Sequence, residues 1–510
     1  MGEAHSEQNF AAGWFSCPQA GQRLIAANVR CWRAARGVED TGAVTAPPHH
    51  PALRDAAPAV FWLDDPAGPP PLPHLAGNTT CDLAVVGAGF TGLWCAYLAK
   101  QRQPSLDVVV VEARHTAAAA SGRNGGFCDA SLTHGFANGL SRFPAELTTL
   151  DRLGLENLDA IEATVRKQRI SCDMERTGML DVAVEPWQAE EVAEAAAVMR
   201  AHGYDVDALD AGAVRAQVRS PTYAGGLWIH GRTALLNPAR LAWGLRRLCL
   251  EAGVRIHEGT AVTGVQDSGE RVTLRTAHGE LVAWRVALAT NADRPLLVRL
   301  RPFVLPVYDY VLVTEPLTAA QLESVGWASR QGVGDSGNQF HYYRLTADSR
   351  ILWGGYDAIY HYGNRVESRL EQRPQTFDRL AGHFFTTFPQ LEGVRFTHRW
   401  GGAIDTCSRF CAFWGTSHGG RVAYVLGHTG LGVGASRFGA LVMLDLLAGR
   451  RTERTALRMV RTRPLPFPPE PLRSGVVQLT RWSLDRADSR AGRRNLWLRA
   501  LDRAGLGFDS

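Results

Sequence analysis

Unbroken apolar runs stand at Leu83 to Val86, Val108 to Val111 and Val422 to Leu426, and each reads as a buried strand. The first and last run directly into glycine-rich turns followed by helical patterns. Helical periodicity crosses 141–169, and Gln188 to Ala201 is rich in helix formers. Leu180 to Val184 alternates like a strand. Asn237-Pro238 supplies an N-cap and a first-turn proline for a helix to about Ala252, which Gly253 ends. Val254 to Ile256 starts a strand, 260–265 and 271–275 alternate, and 282–289 (VAWRVALA) is a strand that ends at Thr290-Asn291-Ala292. From 302 the texture turns aromatic. Leu305 to Thr314 and Phe340 to Gly355 are strand-like, the latter a hairpin turning at Ala347-Asp348-Ser349. A helical pattern over 366–388 and a segment from Phe396 to Gly402 follow.

The first turn reads Gly87-Ala88-Gly89-Phe90-Thr91-Gly92. Gly87 permits the tight turn, Gly89 lets the backbone approach a pyrophosphate, and Gly92 lets the helix lie close on the sheet. Amides at the helix start favour bound negative charge. Glu112, followed by Ala113 and Arg114, stands twenty residues past Gly92, where a carboxylate meets a ribose hydroxyl. An ordinary tight turn would not need strand, spacing and acid together.

Composition narrows the class. The 510 residues are 45% hydrophobic and 21% charged, as in ordinary globular proteins. A net charge of +5 argues against a nucleic-acid or membrane-surface footprint. Only Lys100 and Lys167 could serve as a catalytic lysine. The nine cysteines form no CxxC pair and no metal-ligand spacing, which fits free thiols in a reducing cytoplasm. No run of 18 apolar residues suggests a membrane span, and no basic-then-apolar leader opens the chain. Residues 1–58 read as a poorly structured extension, with the folded protein expected to begin near Pro51. The tail, 456–510, is Pro-rich, then Arg-rich and amphipathic with a helix.

Three further motifs separate NAD from FAD: Ser121-Gly122-Arg123-Asn124-Gly125-Gly126, the strand end at Thr290-Asn291, and the late loop Gly427-His428-Thr429-Gly430-Leu431-Gly432. With them the chain, over about 60–455, resembles the FAD-dependent D-amino-acid oxidase superfamily, within it the gamma-glutamylputrescine oxidoreductase-like branch. The resemblance implies an α/β fold. A discontinuous Rossmann-like FAD-binding domain (59–170, 226–300 and 396–455) would carry an inserted mixed or antiparallel-sheet substrate domain (171–225 and 301–395). It implies that the first turn takes the FAD pyrophosphate and the 121–126 loop lies along the pyrophosphate and ribityl side. Ala261 and Val262 would meet the adenine, and the late loop would place amides near the flavin pyrimidine. Some relatives bind flavin through a cysteine just before the late loop. Here Cys407 and Cys411 fall a few residues too late, so non-covalent FAD is expected. Neither lysine falls around 350–356, where sarcosine-oxidase-like relatives place one, so oxygen and another electron acceptor both stay open.

The implied reaction is hydride transfer from the carbon beside an amine to flavin N5, with hydrolysis of the resulting imine. The substrate would be a small amine or amino acid. Expected contacts are His341, Tyr342, Tyr343 and Arg344, with Trp353 and the Tyr308/Tyr310 pair. Strand alternation puts 341 and 343 on one face and 342 and 344 on the other. Arg344 could hold a carboxylate, Asp405 an ammonium group, and His428 could approach flavin or substrate. The rival readings are an NAD-dependent two-domain dehydrogenase, a flavoprotein acting on tRNA, and a non-catalytic binding protein.

Overall fold

The computed structural model describes residues 49–504 and 506–507. Strand Thr79–Val86 lies at the centre of an eight-stranded sheet, parallel to Val108–Val111 on one side and Gly279–Leu288 on the other. Arg255–His257 ends the sheet on one side; on the other, Val422–Leu426 pairs with Gly279–Leu288 and Phe413–Ser417 forms the edge, so strands from the start, middle and end of the chain meet in it. All four valines of 108–111 are buried, which is why this strand reads as a continuous apolar run rather than an alternating one. Each such side chain contributes about 1.5–3 kcal/mol of burial. Helices Phe90–Arg102, Pro238–Glu251 and Gly432–Leu447 share one apolar core. Asn237 caps the second of them by accepting from Arg240 N.

The inserted sheet has nine strands. From Ile359–Tyr360 the order runs through Leu305–Thr314, Ile351–Gly355, His341–Leu345, Gly332–Asp335, Met179–Ala183 and Gly225–Ile229 to Val206–Asp210. Phe396–Thr406 also pairs with Leu305–Thr314. The pairing of Gly332–Asp335 with Met179–Ala183 is parallel; the others are antiparallel. Helix Pro374–Thr387 closes one face, its Phe377 and Phe384 packing on Tyr310 and Trp353 beside Tyr343. The opposite face looks toward the dinucleotide sheet across Trp62, Val311, Leu352 and Trp400.

Three expectations need correction. Gly225–Ile229 and Phe396–Thr406 belong to the inserted sheet, so the changeovers expected at 226 and 396 come after these strands. Residues 49–58 are packed: His49 N and His50 N donate to Asp378 (2.8 and 2.9 Å), Leu53 and Ala56 join the inserted core, and Ala57 exchanges backbone bonds with Thr397 and Arg399. The remainder of the expected extension, 1–48, lies outside the described residues. The tail forms two helices, Leu472–Asp488 and Leu496–Arg503.

Candidate functional site

The first glycine turn has no room for side chains. Gly87 has φ +106°, and a Cβ there would stand 2.5 Å from Ala289 O. A Cβ at Gly92 would stand 1.9 Å from Gly87 O, and one at Gly89 would meet Ser121 Oγ at 2.7 Å. Phe90 N donates to that same Ser121 oxygen at 2.9 Å. Helix geometry leaves the other first-turn amides without intrahelical acceptors, which makes the turn an anion cradle. Glu112 accepts from Ala88 N (2.8 Å) and Arg114 N (2.9 Å), and burial holds its carboxyl above the usual range. Two of its lone-pair positions remain for a ribose. Thr260 N donates to Glu112 O, bringing Ala261 and Val262 to the same corner, while Ala113 only links Glu112 to Arg114.

The 121–126 loop joins this cradle to the inserted sheet. The side chains of Arg123 and Asn124, in the loop that the resemblance lays along the cofactor, are engaged by protein. Arg123 pairs with Glu371 at 2.5 Å and donates to Ala118 O and Gly401 O. The Asn124 amide donates to Ala120 O and Ser121 O and accepts from Gly126 N. They hold the loop in shape. Gly122 lies against Ala117 O, Gly125 against the Tyr342 ring, and Gly126, at φ +79°, against Leu236 O.

Asp405, at the end of Phe396–Thr406, organises the late loop. It accepts from Gly427 N at 2.6 Å, its carbonyl accepts from Thr429 N, and the Asn291 amide donates to its carboxylate at 2.9 Å. Burial raises its carboxyl to about 7. Asp405 is thus a strut beneath the loop, which corrects its reading as an ammonium contact. Thr290 precedes this junction; Gly430 turns at φ +88°, and Leu431 caps the helix that Gly432 begins. His428 is buried with Nε2 3.4 Å from Thr91 Oγ1, and burial lowers it to about 4. It is a neutral spacer between the two glycine turns and does not reach the inserted sheet, so its expected catalytic role falls away.

On the inserted sheet, alternation decides which residues meet the cleft. His341 and Tyr343 point into the core under helix Pro374–Thr387. His341 Nδ1 lies 2.5 Å from Asp335 and Nε2 2.9 Å from His383, and Tyr343 shares a 2.7 Å bond with Tyr223. Trp353, Tyr308 and Tyr310 lie on this side too, the tyrosine hydroxyls donating to Glu367 O and Leu370 O. None of the five faces the dinucleotide domain, so His341 and Tyr343 are not placed for catalysis.

The facing side carries one cross-strand row: Trp400, Val311, Gly354, Tyr342, Gly334 and Asp181. Glycines flank Tyr342 on both neighbouring strands; its own ring covers Gly354, and Met179 covers Gly334. The Tyr342 hydroxyl donates to Asp309, and its ring meets Phe127 edge-on. Asp181 lies two strands from Tyr342, roughly 10 Å away by strand spacing. Its carboxylate has no hydrogen-bond or ion-pair partner among the described residues. Desolvation raises Asp309 to about 6 and Asp181 to about 7, Asp129 adding to the latter. Neither acid was singled out from sequence. The available signal was an isolated Asp inside otherwise apolar strands, LPVYDYVLVT and MLDVA.

Arg344 faces the same side but is buried and engaged: Nη1 donates to Leu236 O (2.8 Å) and Gly126 O (3.2 Å). Desolvation brings it down to about 10. It clamps the Gly126 turn and offers no free fork to a carboxylate. Arg344→Met is expected to cost about 2–4 kcal/mol in urea unfolding. It should also weaken flavin retention while leaving the preference between carboxylated and uncarboxylated amines unchanged.

The glycine cradle, the acid and the two loops are the groups that would hold an FAD. The chain matches the family model described as DAO, FAD dependent oxidoreductase, over residues 82–446. It belongs to this family. It is 32% identical to gamma-glutamylputrescine oxidoreductase of Escherichia coli (strain K12) over 389 residues, 74% of this chain and 86% of that protein. It is 27% identical to the probable oxidoreductase OrdL of Haemophilus influenzae over 393 residues, 74% of this chain and 85% of that one. Glycine oxidase from Geobacillus kaustophilus shares the fold, with TM-score 0.64, 19% identity, and coverage of 76% of this chain and 99% of that one. The protein is therefore an FAD-dependent amine or amino-acid oxidoreductase, and the nicotinamide, tRNA and non-catalytic readings fall away.

Cys407 and Cys411 are buried in the apolar cores, and Cys407 Sγ donates to Cys411 O. Their burial raises both thiols, Cys407 to about 12. Acid precipitation is expected to leave the yellow colour in the supernatant; colour in the pellet would mean a covalent bond.

Proposed function

We propose that the enzyme oxidises a primary amine whose substrate carries a second cationic group, as gamma-glutamylputrescine does. The observation that carries this reading is the pair of desolvated acids on the facing side, Asp309 bonded to Tyr342 and Asp181 without a partner. A buried carboxylate is costly unless paired. An ammonium group offers both acids the missing charge. FAD bound in the cradle supplies the hydride acceptor. Asp309 takes a proton from the reacting ammonium, and Tyr342, held protonated by burial and by Asp309, keeps that carboxylate oriented. The neutral amine is the form from which bound FAD would accept a hydride at the α-carbon; water would then hydrolyse the imine to aldehyde and ammonia. Asp181 holds the distal cation, which fixes the α-carbon relative to the acceptor. Tyr342 lies over Gly354 and Met179 over Gly334, between the two acids.

This assigns a pH dependence. Both acids must be ionised to hold two ammonium groups, and both titrate above the ordinary carboxyl range. Hence kcat/KM is expected to rise with pH through an acid limb between about 6 and 7. In Asp181→Asn the limb should narrow to a single group near 6. A flat profile across this range, or the same limb in the variant, would contradict the assignment.

A further inference from the structure

The net charge of the whole chain conceals a local concentration. Between Leu472 and Ala504 eight arginines stand against three aspartates, an excess equal to the +5 of all 510 residues. The two helices of this segment, Leu472–Asp488 and Leu496–Arg503, pack on each other and are anchored at few points. Asp488 accepts from Asn338 N, Asn338 Nδ2 and Gln339 N, and Glu470 accepts from Gly363 N and Ser474 N. Only Ser483 and Ala487 of the longer helix are buried.

The outer stripe is apolar. Leu472 is 65% exposed, Leu479 41% and Trp482 52%, at the spacing of one helix face, and Leu496 on the shorter helix is 79% exposed. Beside the stripe is a cleft of about 420 Å³ lined by Arg486, Arg490, Arg493 and Arg494 with Ser483 and Asn495. The cleft is partly braced: Arg494 is held by Asp502 at 2.6 Å, Asn495 Nδ2 donates to Ser483 Oγ, and Arg486 lies 5.2 Å over the Trp482 ring. Arg490 and Arg493 have no carboxylate partner among the described residues. No described helix is long and apolar enough to cross a membrane. Exposed Leu and Trp bordered by arginines are the makeup of a helix that lies in a bilayer interface.

We propose that this helical hairpin docks the enzyme on an anionic phospholipid bilayer. The arginine cleft takes lipid phosphates, for which guanidinium forks suit bidentate bonding. Leu472, Leu479, Trp482 and Leu496 enter the interface beside them. Charge complementarity selects this occupant, because a second copy of the chain would bring two positive faces together, whereas an anionic leaflet attracts each of them. The whole-chain net charge averages this basic hairpin against a neutral remainder.

Cosedimentation of the flavin-loaded full chain with vesicles tests the proposal. Most of the protein should pellet with phosphatidylcholine–phosphatidylglycerol vesicles and stay in solution with phosphatidylcholine alone, and salt should release it. Leu479→Ser with Trp482→Ser, and separately Arg490→Gln with Arg493→Gln, should each lose most of this binding while keeping amine-dependent flavin bleaching. Equal pelleting with neutral vesicles, none with anionic ones, or undiminished binding by both double variants would overturn the proposal. So would a dimer that the variants break in protein that ignores vesicles.

Discussion

Gly92→Ala is expected to yield protein with little or no bound flavin. The added Cβ would stand 1.9 Å from Gly87 O, and that carbonyl has nowhere to go. Gly87 N is tied to Val111 O, and Gly87 itself sits at φ +106° against Ala289 O. Relief requires the helix Phe90–Arg102 to lift from the sheet, which carries the first-turn amides away from the phosphates and breaks close packing with helix Gly432–Leu447. Overpacking of this kind costs about 1–3 kcal/mol, and lost flavin binding lowers apparent stability further. Flavin absorbance per protein and a thermal melt measure both effects. Gly475→Ala, in a helix with open space at the site, is the matched control and should leave both unchanged. A fully yellow Gly92→Ala protein would mean that the turn is not the phosphate cradle.

Asp309→Asn should have the second large effect, of a different kind. The amide can still accept from the Tyr342 hydroxyl, so the sheet and the flavin complement should survive. What is lost is the proton acceptor and its charge. A general base is worth roughly 100- to 10,000-fold, so kcat/KM for the preferred amine should fall by at least about 100-fold. Asp181→Asn should act mainly on KM, because it removes binding of the distal cation. Stopped-flow reduction separates the two. An Asp309→Asn enzyme with unchanged reduction rate would remove the residue from the mechanism.

The parts legible in sequence were those imposed by backbone geometry. Gly87, Gly89 and Gly92 stand where a Cβ meets another atom at 2.7 Å or less, so only their spacing needed to be read. The buried valines of 108–111 and the hairpin around Ala347 were equally local. Side-chain roles were not. Alternation separated His341 and Tyr343 from Tyr342 and Arg344. Which pair faces the dinucleotide domain depends on helix Pro374–Thr387 covering the other side, which is a tertiary fact. Arg344 looked like a carboxylate fork, yet its acceptors, Gly126 O and Leu236 O, come from segments 218 and 108 residues away. Asp405 and His428 failed for the same reason: each is consumed by joining the late loop to something distant in sequence. The family resemblance placed 396 onward in the dinucleotide domain; the pairing of Phe396–Thr406 with Leu305–Thr314 could not be read locally.

Anaerobic reduction of the bound flavin by a set of amines tests the central claim most directly. Gamma-glutamylputrescine and other primary amines with a second cationic group should bleach the flavin fastest. Matched amines with a neutral hydroxyl in place of that group should be slower by at least tenfold, the order expected for a lost ion pair. Faster bleaching by glycine or N-methylglycine than by any amine with a second ammonium group would contradict the account.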